Sequence, residues 1–269
     1  MKPAASILSL SLVAGLFGLA LHKGTAAQAP ATKGDRSPVV VELFTSEGCS
    51  SCPPADQLLA KLEAEQPIRN VEIIALEEHV DYWNNLGWID PFSSDSSTKR
   101  QYLYAETLGN GNAYTPQMVV DGQNEFVGSR EGQARGAIEQ AGSRKKTEVT
   151  VTPEEHEADG TWTFHIKVGA SQNSLGGDAP EVWMAITETG LHSEVKAGEN
   201  AGDDLHHAAI VRKMIKIGLA KDSGETSFSS EERVKVDRGW KRENTRVVVF
   251  VQEKKSKRIL GAGSAPLPA

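Results

Sequence analysis

Two patterns of apolar residues divide the chain. In the first part, "VVVELF" (Val39 to Phe44) is a β-branched run of strand length, closed by the turn-like "TSEG". From Ala55 the apolar positions move to helical spacing, with Leu58, Leu59 and Leu62 on one face, until Pro67 stops the helix. "VEIIAL" (Val71 to Leu76) predicts a second strand, so the opening reads strand, helix, strand. The aromatic-rich Glu77 to Ser97 has no clean period and reads as a long loop. A helix from about Ser97 to Leu108 follows, ending at Gly109. "TPQMVVDGQNEFVG" predicts two short strands joined at Asp121-Gly122, and Ser129 is expected to cap a last helix carrying Ala134, Ala137, Ile138 and Ala141.

Past Lys146 the pattern changes to short, often alternating runs, among them "EVTVT", "TWTFHIKVGA", "EVWMAITE", "AAIVRKMIKIG" and "RVVVFVQE". About seven strands without a helix predict a small antiparallel sandwich, with a domain boundary near Thr147. The expected domains are residues 38–146, α/β with an aromatic loop insertion, and residues 147–269, all-β.

The N-terminus changes the picture. Lys2, an uncharged apolar-rich run from Pro3 to Leu21 and the small residues of "GTAAQAP" have the three-part layout of an export signal, assigned to residues 1–29. The run is nearly long enough to span a bilayer, so an uncleaved anchor is the alternative and would be the chain's one membrane contact. The protein is thus expected to be periplasmic or secreted. With 269 residues the chain can bury a sizeable core, and a formal net charge of −7 argues against a nucleic-acid partner.

The chain has two cysteines, Cys49 and Cys52, in "SEGCSSCPP" at the first strand-to-helix turn. An exported pair tends to oxidise, so a disulfide is expected. Helix N-terminal amides favour a thiolate at Cys49, and Cys52, one turn on, is placed to resolve a mixed disulfide. As a staple so short a loop contributes only roughly 2 kcal/mol. No cofactor is expected, and no metal: the seven histidines are scattered, and His206 and His207, as neighbours on a strand, point to opposite faces. The acidic residues of "GENAGDDLHHAAIVRKM" lack the spacing of a calcium loop.

Thr115-Pro116 opens the strand after the second helix, and with it the order of elements resembles the thioredoxin fold. "VELFTSEGCSSCPPADQLL", "HVDYWNNLGWIDPFSS", "RQYLYAETLGNGNAYTPQMVVDG" and "VVVFVQEKKSKRILGAG" together resemble a bacterial family of predicted secreted, thioredoxin-like proteins of unassigned function. The resemblance implies an α/β thioredoxin-like domain followed by the small β-sandwich. It also implies a cis Pro116 that, with Thr115, presents backbone to a substrate peptide. Glu42 resembles the buried carboxylate that serves the resolving thiol; the ordinary alternative, which weighs more, is that it points outward at the strand end. His79, Asp81, Tyr82, Trp83 and Trp88 are expected to line the groove beside the cysteines or to pack the loop. Gly48, Ser50-Ser51 and Pro53-Pro54 depart from thioredoxin, and the prolines would distort a helix that began at Cys49.

Two functions follow from the sequence. The first is thiol-disulfide exchange on protein or small-molecule thiols, with Cys49 attacking and Cys52 resolving. The second is a non-catalytic binding or assembly role with an inert disulfide. A peroxidase has no signature around Cys49.

Overall fold

The computed structural model describes Met1 and residues 36–109, 111–154, 157, 159–170, 179–221 and 225–268. The expected signal or anchor of residues 1–29 lies, apart from Met1, outside the described residues. Among the described residues no helix is long and apolar enough to cross a membrane.

β1 (Ser37–Thr45) runs parallel to β2 (Val71–His79), in a register that sets Val39 beside Ile73 and Thr45 beside His79. Parallel neighbours need a crossover, and α1 (Pro53–Glu65) supplies it. Its N-cap is Cys52, so Pro53 and Pro54 fall in the first turn, where no amide hydrogen is required; the expected distortion does not arise. α2 (Asp95–Thr107) is capped by the Ser94 side chain, which accepts from the Ser97 amide. β3 (Gln117–Val120) and β4 (Asn124–Val127) form the hairpin expected at Asp121-Gly122. Gly122 is required there: its φ is +66°, and a Cβ would lie 1.9 Å from the Lys257 carbonyl oxygen. α3 (Glu131–Gly142) starts after Arg130, with no side-chain cap from Ser129.

The second half of the sequence forms β5 (Val149–Pro153), β6 (Thr161–Gly169), β7 (Glu181–Glu188), β8 (Leu191–Glu194), β9 (Asp204–His207), β10 (Ile210–Leu219), β11 (Thr226–Lys235), β12 (Thr245–Gln252) and β13 (Ile259–Pro266). Seven of these nine strands coincide with the expected runs, β8 and β9 do not, and the assembly is not the expected one. The fold class read from the sequence, an α/β thioredoxin-like domain followed by a small β-sandwich, is incorrect. The described chain is mostly β with three α-helices, and eight strands, four from each half, form one mixed sheet in the order β13-β12-β7-β10-β2-β1-β3-β4. β11, β6 and β5 form a second, antiparallel sheet, and β8 pairs with β9. The seam lies between β2 and β10, where Ile210 sits beside Glu77 and the Glu77 amide donates to the Ala209 carbonyl at 2.9 Å. Alternation shows which face of a strand is buried but not which strand lies beside it, and the two strands pair at this one position.

The core follows this plan. Val39, Val41 and Leu43 of β1, with Ile73 and Ala75 of β2, pack against Leu58, Leu59 and Leu62 of α1 and Ile138 of α3. Farther along, Val182, Met184 and Ile186 of β7 and Val247, Val249 and Val251 of β12 pack against Trp162, Phe164, Ile166 and Val168 of the second sheet. On the opposite face of β1 lies Glu42, fully buried. It accepts short hydrogen bonds from the Arg100 guanidinium and the Tyr104 hydroxyl, both on α2. Arg100 Nε also lies 3.4 Å from Glu78, and its Nη1 donates to Gln252 of β12 at 3.4 Å. Burial, then the nearby Glu42, pushes the Glu78 carboxyl well above its usual range, against the pull of Arg100. Glu42 therefore ties α2 to the sheet.

Removing a buried cation strands its carboxylate, whereas replacing both partners does not. Arg100→Ala is expected to lose about 3–5 kcal/mol in urea unfolding, and Arg100→Met with Glu42→Leu to recover most of that loss. Equal losses in the single and double variants would show that the ion pair does not account for the effect.

Candidate functional site

The residues between β1 and α1 fold into two successive tight turns: the Cys49 amide donates to Ser46 O at 3.1 Å and the Cys52 amide to Cys49 O at 3.1 Å. This turn brings the sulfurs together, and Cys49 and Cys52 form a disulfide. Cys49 is 1 % exposed and Cys52 fully buried, while Ser50 and Ser51 between them face solvent. The turn is held from a distant part of the chain: Asn200 Nδ2 donates to the carbonyls of Glu47 and Cys49, and Glu199 accepts from the Ser50 amide at 3.0 Å.

The Thr115-Pro116 bond is cis. Trp83 links it to the cysteine turn: its indole Nε1 donates to Thr115 Oγ1 at 2.9 Å, and its Cβ would touch a side chain at Gly48. Pro116 and Ala55 both crowd the space beside Gly128, which places the proline near the start of α1. Trp88 Nε1 donates to Glu47 at 2.7 Å. Trp83 and Trp88, half-buried, thus both lie against the cysteine turn. Tyr82 and Asp81 are occupied with α2, through Gln101 and Thr98. Glu42 faces Arg100 and Tyr104; neither the thiol-serving position nor the outward one describes it.

Beneath the turn lies a charged cluster. His79, expected in the groove, is buried: Nδ1 lies 2.7 Å from Asp90 and Nε2 3.2 Å from Glu77. His207, buried while His206 is exposed, has Nδ1 2.7 Å from the same Glu77 oxygen and Nε2 3.2 Å from Glu47. The other Glu77 oxygen accepts the Ala208 amide at 2.9 Å. Burial alone would raise the Glu77 carboxyl, but His207, and then His79, hold it down at about 2. Burial opposes charge on both imidazoles as well. His207 is nevertheless raised to about 9 by Glu77 and Glu47, and His79 well above its usual value by Asp90 and then Glu77. Asp56, four residues beyond Cys52, behaves oppositely: burial first, then the Glu77 charge, push it up to about 7, although Thr45 Oγ1 donates to it at 2.6 Å.

Among the described residues, Glu77, His79 and His207 are equipped to hold a metal ion, since one donor atom from each lies within 4.8 Å of the others. Sequence reasoning missed Glu47, Asp56, Glu77, Asp90, Asn200 and His207. The local hint was acidic residues inside otherwise apolar segments, such as the "EEH" that ends β2; the partners come from about 130 residues away.

A family model described as "Protein of unknown function (DUF1223)" matches residues 40–252. No curated protein matches the chain. A crystal structure of an Agrobacterium tumefaciens protein is similar at 27 % identity and a TM-score of 0.61, covering 86 % of this chain and 94 % of that one. HBP35 of Porphyromonas gingivalis is similar in fold at 20 % identity and a TM-score of 0.65, covering 86 % of this chain and 76 % of that one. A match that spans residues 40–252, well over half of the chain, establishes that it belongs to the DUF1223 family of proteins of unknown function.

Proposed function

We propose that the protein is an exported thiol-disulfide exchange protein with Cys49 and Cys52 as its redox pair. The observation that carries this reading is a disulfide closed at the N-terminus of α1, tied through Trp83 to the cis Thr115-Pro116 bond, with the proton-active Asp56 one helical turn behind. Export rests on the apolar N-terminal run of the sequence.

In the exchange a substrate thiolate attacks the Cys49 sulfur, the S–S bond breaks, and Cys52 leaves as a thiolate that takes up a proton. A second substrate thiolate attacks the substrate sulfur of the mixed disulfide and releases Cys49. The substrate dithiol is oxidised by two electrons and the protein pair reduced; the reverse sequence reduces a substrate disulfide. Asp56 suits the proton transfer because a carboxyl with a pKa of about 7 gives and takes protons near neutrality. Thr115 would offer its backbone to an extended peptide; Pro116 has no amide hydrogen and its carbonyl accepts from the Gly128 amide at 2.9 Å.

One observation favours the second reading, a non-catalytic binding or assembly protein: both sulfurs are buried, whereas reactive cysteines are at least partly exposed. Cys52→Ala separates the two. Exchange predicts mixed disulfides through Cys49, trapped in the native compartment and separated by non-reducing electrophoresis. No adducts, with a wild-type pair whose potential lies below about −300 mV, would establish the inert disulfide.

Asp56 adds a pH prediction. Its ordinary pKa of 3.8 applies to the unfolded chain and about 7 to the folded one. The stability it contributes is complete below pH 3.8 and is lost as pH rises through 7. The charges facing it are Glu77, which raises its pKa, and His79 and His207, which lower it. Between those limits wild type should lose on the order of 4 kcal/mol relative to Asp56→Asn in urea unfolding. A difference that stays flat with pH would refute the raised pKa. If Asp56 serves Cys52, the same variant also slows exchange about 100-fold at neutral pH.

A further inference from the structure

We propose that Glu77, His79 and His207 form a buried three-ligand site for one divalent transition-metal ion of the zinc class, held by one carboxylate oxygen and two imidazole nitrogens, with the fourth position left to water. The proposal does not rest on whether the disulfide exchanges.

The donor geometry comes first. His79 Nε2 and His207 Nδ1 converge on a single oxygen of Glu77, at 3.2 and 2.7 Å, and the three atoms lie within 4.8 Å of one another. Tetrahedral zinc with bonds of about 2.0–2.1 Å sets neighbouring ligand atoms about 3.3 Å apart, so an ion among these atoms requires only small side-chain adjustments. Two imidazoles and one carboxylate form a donor set suited to zinc and its first-row neighbours.

The surrounding layer is the second observation. A histidine that ligates a metal usually donates its other ring N–H to a carboxylate, which fixes the tautomer and the ring plane. Both histidines have that partner: His79 Nδ1 is on Asp90 at 2.7 Å and His207 Nε2 on Glu47 at 3.2 Å. Asp90 is itself fixed by the amides of Glu47 and Phe92, and the second oxygen of Glu77 by the Ala208 amide. The Phe92 ring packs edge-on against both imidazoles, with centroids 5.6 Å away in each case.

Charge is the third. Glu47, Glu77 and Asp90 are each at most 2 % exposed, and the ion pairs they make are with the two histidines. A divalent cation would take the place of the two imidazole protons that these carboxylates now pair with, so the ion enters without adding uncompensated charge to the buried cluster. The ion would brace the cysteine turn from below, because Glu47 lies two residues before Cys49.

The test uses the full chain, purified without chelator. Mass spectrometry after exchange into Zn2+ should show one retained equivalent, and Co2+ in its place should give the visible absorption of a low-coordinate site. Stripping the metal should lower the thermal midpoint of unfolding, and adding Zn2+ should restore it. Glu77→Gln and His207→Gln should each abolish retention. Asp90→Asn, which leaves all three donors, should weaken it about 10–100-fold. His206→Ala removes a member of the exposed His192, Asp204 and His206 group and should change nothing. Wild-type protein that retains no ion and gains no thermal stability from Zn2+ or Co2+ overturns the proposal without relying on any variant. Retention that survives in folded His207→Gln overturns it as well.

Discussion

Glu77 is the residue on which the two halves of the molecule meet. Its amide donates to the Ala209 carbonyl at 2.9 Å, which joins β2 to the start of β10, and its carboxylate accepts from the Ala208 amide and both buried histidines. A carboxylate with no solvent exposure is tolerated only when paired and hydrogen-bonded, so the chain around residues 207 to 210 has to arrive where it does. One residue, through its backbone amide and its carboxylate, thus links the seam of the eight-stranded sheet to the cluster beneath the cysteines.

The cysteine turn inherits its rigidity from that arrangement. Glu47 reaches His207 with one oxygen and Trp88 with the other, and its carbonyl, with that of Cys49, accepts from Asn200. A three-residue disulfide loop adds little stability of its own. Its position is set by contacts from the aromatic loop and from the loop preceding β9, so sulfur chemistry here is coupled to the second half of the sequence. That half supplies no residue with redox chemistry; its contribution is the groups that hold the turn and neutralise the charge below it.

Most of the regular elements are legible locally, although Ser129 does not cap α3 and β8 and β9 carry no strand signal of their own. The strand before the cysteines, the helix after them, the hairpin at Asp121-Gly122 and the strand runs beyond Lys146 all carry their signals in adjacent residues: a hydrophobic period, a proline in a first turn, a glycine at positive φ. Glu42 stands out as an acid in an apolar strand, whereas His79 reads as part of the aromatic loop; both are buried and paired. Their partners could not be named, because Arg100 lies 58 residues from Glu42 and reaches it only when α2 packs on the sheet.

The amino-acid sequence by itself determined the identity of most elements and the placement of Cys49 and Cys52 at a strand-to-helix turn, because these depend on steric preferences and side-chain spacing over a few residues. Tertiary structure alone decided that β10 lies beside β2, turning an expected two-part fold into one mixed sheet. It also decided that Glu47, Glu77, Asp90 and His207 share one buried cluster. Strand neighbours and buried charge partners are chosen by the free energy of satisfying edges and carboxylates away from water, and that choice involves groups far apart along the chain.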